Sequence, residues 1–136
     1  MADRDAVADL FARYAWANDT CDVGLVEKLF LENPIFSLSV AGAAAVGPIE
    51  TRTELLTFFG GAFEAQTDER RHVTTNFRYA EETEDSARVF AYLLLIATDA
   101  GVPSIRCTGV YTAQVVRCDD GAWAFAELEV ALDSAF

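Results

Sequence analysis

The sequence predicts an α+β fold in which a curved, mixed or antiparallel sheet wraps around N-terminal helices. Such a sheet, closed at one end by helices, forms a cone-shaped barrel with an internal pocket. The apolar spacing changes partway along the chain. Its first half carries apolar residues every three to four positions, and from Arg71 onward they fall in strand-length runs separated by acidic or glycine-containing turns. No linker, repeat or low-complexity segment interrupts the 136 residues, of which 52% are hydrophobic. That is enough for one core and too little for two, so residues 1–136 read as one domain.

Asp3 or Asp5 can cap a first helix, along which Val7, Leu10, Phe11, Tyr14 and Ala17 make one apolar stripe as far as Asn18 or Asp19. Asp22 opens a shorter helix carrying Leu25, Val26, Leu29 and Phe30, which Asn33-Pro34 ends. Residues 35–40 suit a strand, and the small residues of 41–47 suit a loop or lid. Thr51-Arg52-Thr53-Glu54 is a capping box for a third helix bearing Leu55, Phe58, Phe59, Ala62 and Phe63. Gly60-Gly61 weakens that helix, by about 1 kcal/mol per glycine, and suggests close packing or ligand contact.

Strands follow at 71–81, 87–98, 104–117 and 122–132. Turns separate them at 82–86, 99–101 and 118–121. The second is apolar on both sides and therefore central. In the last, Trp123, Phe125, Glu127 and Glu129 alternate with Ala124, Ala126, Leu128 and Val130.

The formal net charge of -12 repels phosphate backbones and anionic membranes, and no basic stripe offsets it. A small, largely apolar organic molecule is the easier partner. Three scattered cysteines without a CxxC, alongside a single histidine, suggest no metal site. There is no GxGxxG and no P-loop, so no cofactor is expected. The N-terminus lacks a signal-peptide core and no apolar run is bilayer-long, which reads as a cytoplasmic protein with reduced thiols.

His72, the only histidine, shares one strand face with Thr74 and Asn76, while Val73, Thr75 and Phe77 share the other. An imidazole on a polar-lined face is a natural proton acceptor near neutral pH, though a lone histidine also serves as a structural residue. Asp19 stands at a helix C-terminus, where the dipole disfavours a carboxylate, and that placement points toward function. A carboxylate bonded to one ring nitrogen fixes the tautomer and stabilises the imidazolium once formed.

Three stretches carry a family resemblance. One is Tyr14-Ala15-Trp16-Ala17-Asn18-Asp19-Thr20-Cys21-Asp22, and another is His72-Val73-Thr74-Thr75-Asn76-Phe77. The third is Gly109-Val110-Tyr111-Thr112 with Arg117 and Asp120-Gly121-Ala122-Trp123. Together with the element order, they resemble a SnoaL-like domain of the nuclear-transport-factor-2-like superfamily over nearly the whole chain. The likeness is strongest to the scytalone dehydratase and hexachlorocyclohexane dehydrochlorinase types.

The resemblance implies that Asp19 orients His72 and that His72 removes a proton from carbon. It places Asn76 and Thr112 near polar pocket positions, and Arg117 close to a basic residue of the dehydrochlorinase. Where scytalone dehydratase has a tyrosine before the Asp, this chain has Asn18. Tyr14, one helical turn earlier, can supply a hydroxyl instead.

The activity so implied is a cofactor-independent lyase or isomerase. Superfamily relatives also include polyketide cyclases, steroid isomerases and epoxide hydrolases. The last use an Asp-Arg-Asp set that Arg117 or Arg106 with Asp19 could imitate. Non-catalytic accessory and ligand-binding modules share the fold. An exposed sheet face rich in Val, Tyr and Trp, with the family's habit of pairing, implies a homodimer or homotrimer.

Overall fold

The computed structural model describes all residues, Met1–Phe136. Three helices and six strands follow in the order α1 (Arg4–Asp19), α2 (Val23–Leu29), β1 (Phe30–Val40), β2 (Ala43–Ile49), α3 (Arg52–Ala65), β3 (Glu69–Ala80), β4 (Ser86–Asp99), β5 (Val102–Arg117) and β6 (Trp123–Leu132). The strands form one sheet in the order β2-β1-β6-β5-β4-β3. β1 runs parallel to β6 and every other pair is antiparallel. The mixed, curved sheet of the α+β class is therefore present, but β2 and β3 remain free edges and the barrel is not closed.

Each helix starts as its capping residue dictates. Asp3 accepts the Ala6 N–H, Asp22 that of Leu25 and Thr51 that of Glu54. Such caps typically contribute about 1 kcal/mol each. The α1 stripe Val7, Leu10, Phe11, Tyr14 and Ala17 is buried as its spacing requires.

Away from the cavity, aromatic rings fill the core. Phe11 meets Phe77 at 5.3 Å and Phe125 at 5.1 Å, both edge to face. Truncating Phe11 to Ala would cost about 3–5 kcal/mol.

Several elements differ from the sequence reading. α2 stops at Leu29 and β1 begins at Phe30, upstream of Asn33-Pro34, because Phe30 is buried and pairs in extended form with Phe125. The stretch 41–47 is no loop. Ala43–Ile49 pairs with β1, and only as a mostly exposed edge does it tolerate such small side chains. Gly47 is required there. Its φ is +83°, and a Cβ would strike the carbonyl oxygen of Phe36. Gly60 and Gly61 have open space where a Cβ would stand, so neither marks close packing.

Bulges break the simple alternation of the strands. In β6, Gln114 pairs with Glu127 and Val115 with Phe125, leaving Ala126 as the extra residue. Phe125 and Leu128 therefore both face the core, and Glu127 and Glu129 do not.

Candidate active site

α1 packs along β3 and brings its last residue to the fourth residue of that strand. Asp19 Oδ1 lies 2.6 Å from His72 Nδ1. Both carboxylate oxygens also accept the main-chain N–H of His72, at 3.0 and 3.1 Å. A carboxylate only accepts, so Nδ1 carries the proton and Nε2 of the neutral ring is left as the acceptor. The two side chains are 12% and 13% exposed. Largely out of water, the pair is stronger and the ring's orientation is fixed. The donors from His72 offset the unfavourable end of the α1 dipole.

His72 lines a cavity of about 90 Å³. Phe36, Phe58, Phe59 and Phe63 form its apolar wall, and Tyr14 and Tyr111 also line it. Asp19 and His72 both border a second groove, between α1 and β3 beside Trp16. Burial pushes the Tyr14 hydroxyl well above its ordinary pKa, with the Asn18 side chain pulling the other way. Burial does the same to Tyr111, and the nearby Tyr14 and Asp19 add to it. Both phenols are thus neutral hydrogen-bond donors at working pH. Arg70 also lines the cavity, and its Nε donates to Asp68 Oδ1 at 2.7 Å.

Of the residues singled out by sequence, Asp19, His72 and Tyr14 meet. Asn76, Thr112 and Arg117 do not reach the cavity. Asn76 sits in a bulge with φ 58°, which turns Phe77 inward and Asn76 outward toward Phe90 and Tyr92. Thr112 lies between buried Tyr111 and Ala113 on β5 and so faces outward, paired with Phe90 and Glu129. Arg117 is exposed and donates to Asp85 at 2.6 and 3.0 Å. Arg106 is the extra residue of a β5 bulge and lies 3.5 Å from Asp68.

Sequence reasoning missed Tyr111 and Arg70. Tyr111, Ala113 and Val115 are one alternation set, and their parity alone could have favoured Tyr111 over Thr112. Arg70 shares parity with His72.

The family model described as a SnoaL-like domain matches residues 1–129. None of the curated proteins compared matches the sequence significantly. Among solved structures, a proposed aromatic ring hydroxylase from Novosphingobium aromaticivorans is similar at 28% identity and a TM-score of 0.79. The alignment covers 96% of this chain and 88% of that one. A proposed scytalone dehydratase from the same organism shares 22% identity at a TM-score of 0.75, covering 95% and 83%. A Mycobacterium tuberculosis protein of unknown function shares 24% at 0.77, covering 94% and 70%. No helix is long and apolar enough to cross a membrane.

Proposed function

The chain belongs to the SnoaL-like domain family, and from that premise we propose that it is a cofactor-independent lyase or isomerase acting on a small, largely apolar molecule. One observation carries the reading. The sole imidazole is tied at one nitrogen to a largely buried carboxylate, and His72 lines an aromatic cavity.

His72 Nε2 takes a proton from a carbon next to a carbonyl, hydroxyl or halide. The imidazolium so formed stays paired with Asp19. Negative charge developing on a substrate oxygen is met by the neutral hydroxyls of Tyr14 and Tyr111. The carbanion's electron pair then expels a leaving group on the adjacent carbon, or the proton returns at another carbon. The resemblance to dehydratase and dehydrochlorinase types around Asp19 and His72 favours elimination.

A hydrolase of the Asp-Arg-Asp kind fits poorly. Arg117 is engaged by Asp85 and Arg106 by Asp68, while Asp19 is engaged by His72. A non-catalytic accessory role draws on a different feature, the outer sheet face, where Tyr92 and Ile105 are exposed. That face also suits a homodimer or homotrimer, and a monomer mass by light scattering at micromolar concentration would count against it. Three free thiols suit a reducing cytoplasm.

The test needs no known substrate. Small cyclic ketones such as 2-indanone are incubated with the protein in D2O, and loss of the α-proton signals is followed by NMR. The wild type should accelerate exchange, and His72→Ala and Asp19→Asn should each slow it by roughly 100- to 10,000-fold. Exchange that is equal in all three proteins would overturn the reading.

A further inference from the structure

We propose that Arg70 anchors a single anionic oxygen of the cavity's ligand. The ligand class is then a one-ring aromatic or alicyclic body bearing one carboxylate or phenolate. The inference shares with the preceding reading only the premise that the cavity around His72 is where the ligand sits.

The geometry begins with strand parity. Arg70 and His72 are two residues apart on β3, ahead of the bulge at Asn76, and both line the cavity. Two residues of extended strand span roughly 7 Å, about the size of one substituted ring. A molecule that touches both groups is therefore small, as the 90 Å³ cavity also demands.

The Arg70 side chain is only 22% exposed. Its single hydrogen bond to the protein runs from Nε to Asp68. The guanidinium carbon lies over the Phe136 ring, 5.0 Å from its centroid. No hydrogen bond within the protein engages the terminal N–H groups of Arg70. These are the groups that grip a carboxylate in a fork.

The local charge is also unbalanced. Asp68 is shared with Arg106, whose Nη2 lies 3.5 Å from Oδ2 and whose Nε is buried without a partner. One carboxylate cannot neutralise two guanidinium groups. No other carboxylate lies within 4.0 Å of either guanidinium. A half-buried cation beside an apolar wall lacks a full set of partners, and a ligand oxyanion completes it.

The net charge of -12 opposes anions at long range. That field is screened beyond about 8 Å at physiological ionic strength, whereas Arg70 acts by contact. The balance favours a monoanion and rejects phosphates of higher charge.

The test compares phenylacetate with its neutral isostere phenylacetamide, titrated by NMR at fixed ionic strength. The wild type should bind phenylacetate at least about tenfold more tightly, since a contact ion pair in a partly dry site is worth that much. Arg70→Gln should abolish the preference while the amide's affinity stays within about twofold. Arg70→Lys should keep part of it, which guards against a Gln variant that fails to fold.

Equal affinities in the wild type, or a preference that survives Arg70→Gln, would overturn the proposal. His72→Ala should keep the preference and lose ketone exchange. A protein that prefers phenylacetate without exchanging ketone protons therefore keeps the anchor and loses only the proton-transfer reading. The opposite pattern does the reverse.

Discussion

Asp19–His72 and Asp85–Arg117 are hydrogen-bonded at the same nitrogen-to-oxygen separation, 2.6 Å. Everything else about them differs. The first pair is 13% and 12% exposed and borders an aromatic cavity. The second is 67% and 42% exposed and ties the start of β4 to the end of β5. Distance alone does not separate a candidate base from a surface clasp. What separates them is how much water each pair has lost, and whether a ligand-sized space lies beside it. The chain departs from its family resemblance on the same ground. The resemblance sets Arg117 only close to a basic residue of the dehydrochlorinase type, and the fold commits it to Asp85.

The contrast can be broken or sharpened by substitution. The largest effect is expected at the buried pair. Besides losing ketone exchange, His72→Ala leaves the Asp19 carboxylate with only a main-chain donor, and chemical denaturation should register about 1–3 kcal/mol of lost stability. Tyr111→Phe comes next. It keeps the ring in the core, so the fold should stand, while exchange falls by up to roughly 100-fold as one oxyanion donor disappears. Unchanged exchange would remove Tyr111 from the mechanism.

Arg117→Ala should leave exchange at the wild-type rate and shift the melting temperature only slightly. A large loss of exchange would mean that the surface clasp is coupled to the site after all.

The smallest effect concerns a second exposed pair, Arg4–Glu82. The hydrogen bond from Arg4 holds the Glu82 carboxyl below its ordinary pKa. Its contribution is thus present above the ordinary carboxylate range and is lost as pH falls through the lowered value. The slight stability difference between wild type and Glu82→Gln at neutral pH should vanish in acid, as pH-dependent melting curves would show.

Much of this arrangement was legible in the sequence. The α1 stripe, the Thr51 cap and the strand runs located Asp19 and His72 on elements that do meet. Periodicity works where one residue follows another without interruption. It failed at Asn76, Arg106 and Ala126 because a bulge is defined by the partner strand, and partners lie far away in sequence. The Asn76 bulge decides which β3 side chains turn inward: polar Arg70 and His72, which line the cavity, before it, and aromatic Phe77 and Tyr79, which pack against the core, after it. β2 was hidden for another reason. Ala43–Ile49 gains its strand state from hydrogen bonds to β1, not from any apolar alternation of its own.

The most direct test uses the fact that the chain has one histidine, so its imidazole nitrogens give an unambiguous spectrum. Long-range proton–nitrogen NMR on the neutral ring should show Nδ1 protonated and Nε2 bare. Asp19→Asn should erode that tautomer preference, and a ketone ligand should perturb Nε2. A wild-type ring protonated at Nε2, or one indifferent to the loss of the Asp19 carboxylate, would contradict a base held for proton transfer in the cavity.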